Sequence, residues 1–240
     1  IYIMKSRIKK KKMAIVATVP MMIKIYLTNH IIFLSHDYEI TIFTNLHENR
    51  NLLSGFPKNI KKYHVPFRRN ISLFYDVLSL LILLIQFKKE KFRITYSISP
   101  KGGFISCLSA FFARVPIRIH TFTGQVWKLK AGFTRSMLVK IDQITSYCAT
   151  SLIVDSKTQK NFLIKNKIIN DRKSVVLGKG SISGVDTKKF QPNKKSRSQI
   201  RKKFKVKKDQ IIYLYLGRIN EDKGILSLIR AFNNCLKKKY

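Results

Sequence analysis

The stretch Ile211-Ile-Tyr-Leu-Tyr-Leu-Gly-Arg-Ile-Asn-Glu-Asp-Lys-Gly-Ile-Leu-Ser-Leu-Ile-Arg-Ala-Phe232 reads as strand, turn and helix in succession. β-Branched and aromatic residues predict a strand running into Gly217-Arg218, and Lys223-Gly224 open an amphipathic helix. The two cations straddle a strand-to-helix turn, where backbone N–H groups without helical partners and the helix dipole favour an anion. A basic pair beside a helix is also ordinary surface charge, so the motif alone carries two readings.

The same alternation runs through the preceding chain. Met13–Val19, Tyr38–Asn45, Ile60–Phe67, Phe92–Ser99, Pro116–Thr123, Ser151–Asp155 and Lys173–Leu177 are expected strands. Between them, Ile23–Leu34, Ser72–Lys88, Gly102–Ala113 and a segment from Thr134 to Ala149 are expected helices. Ser156 opens another, with Gln159 placed to close a capping box. This βα order predicts an α/β fold with an open, mostly parallel, Rossmann-like sheet and helices on both faces. From Thr187 to Gln210 the composition turns to Lys, Ser, Asn and Gln, as in a linker leading into a polar helix. Residues 1–188 are therefore expected to form a first domain, 189–210 a linker and entry helix, and 211–240 the start of a second domain.

Three turns of the first domain carry candidate chemistry. In Ser99-Pro-Lys-Gly-Gly103, Ser99 is placed to cap a helix and Pro100 suits its first turn. The backbone N–H groups near Gly102 and Gly103, with Lys101, are positioned to meet a phosphate or sugar hydroxyl; an ordinary capped helix is the alternative. Ile119-His-Thr-Phe-Thr-Gly-Gln-Val-Trp127 ends the next strand at the same sheet edge, where ligands of parallel sheets gather. His120 supports the strand, and Trp127 either packs the loop or offers a platform to a sugar. Lys173-Ser-Val-Val-Leu-Gly-Lys-Gly-Ser-Ile-Ser-Gly-Val-Asp186 fails as a dinucleotide fingerprint, because Ser183 stands where the last glycine belongs.

These stretches together resemble family 4 glycosyltransferases of the GT-B fold, in the branch that builds bacterial surface polysaccharides. The resemblance implies that Gly217, Arg218, Lys223 and Gly224 bind the donor diphosphate. It places Ser99, Lys101, Gly102, Gly103, Thr121, Thr123, Gly124, Gly180, Ser181 and Gly184 on the acceptor side of the cleft. Thr123 falls where many members carry a histidine, so no general base is assigned. The family's E-x7-E glutamates have no counterpart, since no acidic residue follows Asp222. The catalytic residues thus stay unknown, and the chain is expected to be truncated in its donor-binding domain. The implied reaction moves a sugar, with retention and without an essential metal or other cofactor, from a nucleotide-diphosphate sugar. The implied acceptor is a polyprenyl-diphosphate-linked saccharide of capsule, O-antigen or lipopolysaccharide synthesis.

Composition bounds the partners. The chain's 240 residues include 48 Lys and Arg against 12 Asp and Glu, a formal charge of +36, while 45% of residues are hydrophobic. Such a surplus suggests a polyanion: an anionic membrane surface, phosphorylated substrates or nucleic acid. A/T-rich coding also enriches Lys, Ile and Asn, which gives the charge a second explanation. The aromatics fall in expected core positions instead of alternating with cations, so nucleic acid is not the expected partner. A catalytically incomplete half needing a second chain is the other alternative.

The run Lys9–Lys12, preceded by Lys5 and Arg7, leads into a short β-branched strand and not into the apolar core of a signal peptide. Val77–Phe87 is too short to span a bilayer; a buried helix and a membrane-surface helix are its two readings. Cys107, Cys148 and Cys235 form neither a metal spacing nor a disulfide framework. The expected location is cytoplasmic, peripheral to the inner face of the cytoplasmic membrane.

Overall fold

The computed structural model describes residues 10–48, 50–207 and 209–237; Lys5, Arg7 and Lys9 of the cationic run lie outside them. Its contacts divide the chain between Val185 and Asp186 into two units. The first contains a seven-stranded sheet in the order β3-β2-β1-β4-β5-β6-β7. The strands are β1 Lys11–Val16, β2 Tyr38–Thr44, β3 Lys61–His64, β4 Ile94–Ile98, β5 Ile117–Phe122, β6 Ser151–Val154 and β7 Ser174–Val175. Every pairing is parallel. Parallel neighbours require crossovers, and the helices that provide them bury both faces of the sheet.

Alternation along β1 shows how this works. Met13 and Ile15 pack on one face with Ile40, Ile42 and the helical segment containing Ile23, Leu27 and Ile31. Ala14 and Val16 pack on the other, with Phe43, Leu83, Phe87, Ile105 and Ala110. A further cluster of Phe122, Trp127, Leu152, Val154 and Leu163 closes the β5–β6 end.

The helices of the first unit are Thr28–Leu34, Leu73–Glu90, Pro100–Phe112, Gly132–Cys148 and Lys157–Lys165, with a single turn at Pro20–Met22 and a π-helical turn at Ile23–Leu27. That turn interrupts the uniform helix expected from Ile23. The Thr28 hydroxyl donates to Lys24 O at 2.7 Å and so takes a carbonyl from the helical ladder. At Ser156 half of the expected capping box forms. Its hydroxyl accepts from Gln159 N at 3.1 Å, whereas the Gln159 side chain accepts from Asp155 N, one residue earlier than the motif prescribes.

In the second unit, helices Lys194–Lys203 and Ile225–Lys237 form, but the expected strand at Ile211 does not. A strand needs a neighbour to satisfy its N–H and C=O groups, and no strand lies beside residues 211–216 among the described residues. Tyr213 instead sets its ring against Phe232 of the following helix, centroids 5.8 Å apart.

Candidate functional site

The chain visits β1, β2 and β3 on one side and then returns to β4 on the other side of β1. The connections leaving β1 and β4 therefore continue to opposite sides of the sheet, which marks the carboxyl ends of these two strands as the usual ligand position. Ser99 and the loop after β1 meet there, with Thr18 Oγ1 and Ser99 Oγ 3.2 Å apart.

Ser99 occupies the N-cap position of helix Pro100–Phe112, yet its side chain accepts no cap hydrogen bond. Its backbone explains this correction: φ +80 and ψ 147 turn the hydroxyl to Thr18. That conformation lies close to a region that glycine alone occupies readily, and it costs about 1–3 kcal/mol in a residue with a side chain. The strain sits at the carboxyl end of β4.

Lys101 was expected to meet an anionic ligand, but its ammonium is held within the protein. It donates to Asn70 O at 2.5 Å and to the two Asp76 oxygens at 2.8 and 3.0 Å. An ammonium has three donors, and these contacts employ all of them.

The neighbouring glycines are likewise used by packing. A Cβ on Gly102 would lie 3.2 Å from Thr18 N, and one on Gly103 would lie 2.1 Å from the His120 ring. The first-turn N–H groups of Lys101 and Gly102 still have no carbonyl to bond within the helix, so this end keeps its preference for negative charge.

On β5, the Thr121 hydroxyl is buried and donates to Tyr96 OH at 3.0 Å, so it packs inside the sheet instead of lining the expected cleft. His120 is also buried, with Nδ1 3.0 Å from Ser97 Oγ and its ring edge-on to Phe122. Burial pulls its pKa down to about 4, which keeps the imidazole neutral. Thr123 is half-buried, Gly124 is exposed, and a Cβ on Gly124 would meet nothing within 4 Å. These two residues form the open lip of β5.

Trp127 packs and offers no platform. It is 2% exposed, stacks on Phe162 at 5.4 Å, and donates Nε1–H to Asp142 at 2.7 Å. Burial raises the Asp142 carboxyl to about 6, against the opposing effect of that hydrogen bond.

The glycine-rich loop closes over the end of β6. Ser181 N donates to Asp155 O at 2.7 Å. Gly180 has φ +102, and a Cβ there would sit 2.4 Å from the same carbonyl oxygen. No other residue fits without moving that backbone. Gly184 also has positive φ but has open space around it.

Asp155 escaped the sequence reading. Its Oδ1 is buried without a hydrogen-bond partner among the described residues. Desolvation raises its pKa, and the backbone N–H of Ile182 pulls it partly back. An acidic residue at the carboxyl end of a parallel strand was the available signal. With Gly180, Ser181 and Ile182, Asp155 borders an apolar cavity of about 240 Å³ that reaches under Leu34, Tyr38 and Tyr96.

In the second unit, Gly217, Arg218, Lys223 and Gly224 are all exposed. Tyr215 OH donates to Arg218 O at 2.7 Å and shapes the turn. A short 3-10 turn, Glu221–Lys223, ends at Gly224 with φ +73, and helix Ile225–Lys237 follows. Gly224 N bonds Glu221 O at 2.9 Å. Both cations precede this helix in the chain. Among the described residues no cluster of three or more His, Cys, Asp or Glu could hold a metal ion.

The chain is 35% identical over 196 residues to the capsular polysaccharide biosynthesis glycosyltransferase CapM of Staphylococcus aureus, across 79% of this chain and 51% of that protein. The chain is a relative of bacterial surface-polysaccharide glycosyltransferases. A second relative is the Escherichia coli UDP-Gal:alpha-D-GlcNAc-diphosphoundecaprenol alpha-1,3-galactosyltransferase, 26% identical over 233 residues, with 95% of this chain and 59% of that one covered. The chain spans about half the length of these curated relatives.

Among solved structures, the sucrose-phosphate synthase of Thermosynechococcus elongatus matches with a TM-score of 0.65 at 14% identity, over 93% of this chain and 59% of that one. A UDP-N-acetylglucosamine 2-epimerase matches with a TM-score of 0.55 at 19% identity, over 71% and 49% respectively. The first unit is a Rossmann-like, parallel-sheet half of the GT-B type. One such fold serves both sugar transfer and epimerisation, so the reaction has to be argued from sequence relatives and the site. No family model matches the chain.

Proposed function

We propose that this chain is part of a glycosyltransferase that moves a sugar from a nucleotide-diphosphate donor to a polyprenyl-diphosphate-linked saccharide during surface-polysaccharide synthesis. The observation that carries the reading is the 35% identity to a capsular glycosyltransferase over 79% of the chain. The second relative, whose name specifies a nucleotide sugar and a diphosphoundecaprenol-linked acceptor, supports both substrate classes.

The donor diphosphate would rest at the entry of helix Ile225–Lys237, between Arg218 and Lys223. Its negative charge grows as the glycosidic bond breaks, and cations beside a helix N-terminus stabilise that growth. On the acceptor side, the lip formed by Thr123 and Gly124, the first turn of helix Pro100–Phe112 and the Asp155 carboxylate offer hydrogen bonds to sugar hydroxyls. Transfer would proceed with retention and without an essential metal, since the two cations supply charge at the leaving group. The protein would work at the inner face of the cytoplasmic membrane, held there by its basic surface, and nucleic acid would not be a partner.

The test uses the longest polypeptide that the gene encodes. It is incubated with radiolabelled UDP- and GDP-sugars and undecaprenyl-diphosphate-linked monosaccharide, and the lipid fraction is counted. Label in the lipid fraction that requires both substrates is the expected result. Hydrolysis or epimerisation of the nucleotide sugar without any lipid product would remove the proposal.

A further inference from the structure

We propose that the outer side of helix Leu73–Glu90 is a docking face for an anionic lipid surface. The helix is apolar nearly all round, but only one side reaches the core. Ser79, Leu83 and Phe87 are buried there. On the opposite side Phe74 is 73% exposed, Val77 52%, Leu81 46% and Ile85 59%. Steps of three and four residues align these four as one stripe along the helix. Ile71 and Leu73, equally open to solvent, extend it at the amino end. A continuous apolar stripe of this size marks an interaction surface, because scattered apolar residues do not line up in this way.

Charge selects the occupant. Arg68 and Arg69 precede the stripe, Lys88 and Lys89 follow it, and all four are exposed. The two acids of the helix are neutralised from neighbouring elements: Asp76 by Lys101 at 2.8 Å and Glu90 by Lys12 at 2.5 Å. Arg69 approaches Glu48 only at 3.4 Å, and Arg68 lies over the Tyr75 ring at 4.2 Å. The stripe is thus apolar in the middle and cationic at both ends, the pattern of a helix lying in the plane of an anionic interface.

A second copy of the chain fits worse. A two-fold pairing of this face would set cationic ends against cationic ends, whichever way the helices run. Spanning is not the mode either, because no helix of the described residues is long and apolar enough to cross a membrane. The inference takes its biological sense from the proposed lipid-linked acceptor, but it rests on the geometry of one helix.

The experiment is flotation of the full chain with phosphatidylcholine vesicles, with and without phosphatidylglycerol, in the absence of nucleotide sugar and acceptor. Binding to the phosphatidylglycerol vesicles is expected. The double variant Phe74→Ser/Leu81→Ser should lower partitioning about tenfold or more. Lys88→Gln/Lys89→Gln should lower it roughly fivefold per cation at low salt, and added salt should erase that difference. These side chains face solvent, so both variants should melt with the wild type.

Undiminished vesicle binding by Phe74→Ser/Leu81→Ser would overturn the proposal, as would a wild type that ignores phosphatidylglycerol. So would sedimentation showing that this variant only converts a dimer into a monomer. Because no substrate is present, a failure of sugar transfer with vesicle binding intact would count against the proposed reaction and leave the docking face standing.

Discussion

Two glycine-bearing turns, each leading into a helix and each carrying positive charge, look alike in sequence and differ in what surrounds them. At Ser99–Gly103 the protein occupies its own turn: Ser99 meets Thr18, Lys101 is held by Asp76, and Gly103 lies against His120. At Gly217–Gly224 the atoms nearest a Cβ on Gly217 belong to Tyr215, at 3.1 Å, and a Cβ on Gly224 would meet nothing within 4 Å. Arg218 and Lys223 are exposed ahead of the helix. A glycine required by close packing, as at Gly103, and one set by a left-handed backbone, as at Gly224, give the same letter. Only the neighbouring atoms tell them apart.

Removing the cations should separate the two turns most strongly. In the longest polypeptide the gene encodes, Arg218→Ala and Lys223→Ala should each slow sugar transfer about a hundredfold or more while melting with the wild type. Lys101→Met should do the opposite: it should cost about 1–3 kcal/mol of stability, because Asp76 loses its charged partner, with little change in the Michaelis constant for acceptor. A raised acceptor constant with unchanged stability would return Lys101 to the site.

Next in size is the close approach of Gly103 and His120. Gly103→Ala forces a methyl into the imidazole and should cost about 3 kcal/mol or more. His120→Ala opens the space it needs. The double variant should therefore be more stable than the sum of the two losses predicts, by roughly 1 kcal/mol or more in a denaturation cycle. Additive losses would mean that the two residues do not touch.

The same histidine predicts a dependence on acidity. Its folded-state pKa of about 4 lies below the ordinary value of 6.5, so the unfolded chain takes up the proton first. Its contribution to stability is complete above pH 6.5 and is lost as the pH falls through about 4, a change on the order of 3 kcal/mol. Urea titrations of wild type and His120→Gln should diverge across that window; parallel curves would contradict a neutral, buried ring. The smallest effect belongs to Gly224→Ala. Its left-handed backbone, φ +73, penalises a side chain by about 1 kcal/mol even though the space is open. A loss several times larger would reveal a contact at this turn.

How much was legible beforehand depended on the range of the interaction. The βα order is carried by short-range patterns of apolar residues; six strands of the first unit formed within the expected segments, and β1 begins two residues earlier, at Lys11. The strand expected at Ile211 did not, because strand character needs a neighbour that a local pattern cannot supply. His120 is expected to support its strand and Trp127 either to pack or to offer a platform; both are buried, which leaves packing for each. Ser99 was read as a cap and proved to be a strained link to Thr18, since a backbone angle leaves no trace in composition. Asp155 was passed over because its significance comes from the loop that folds down over it, through Gly180 and Ser181.

The class of fold, the places where strands of the first unit pass into helices, and the two cations ahead of helix Ile225–Lys237 are local properties of the chain. These follow from periodicity, turn chemistry and charge, all properties of residues near one another in the chain. Tertiary structure alone decided that β4 lies beside β1, which sets the ligand position at Ser99. It also turned Lys101 inward to Asp76 and left the outer side of helix Leu73–Glu90 facing solvent. The physical reason is common to all three. Burial, ion pairing and strand order are set by residues distant in sequence, and an apolar or charged letter does not say which neighbour it will meet.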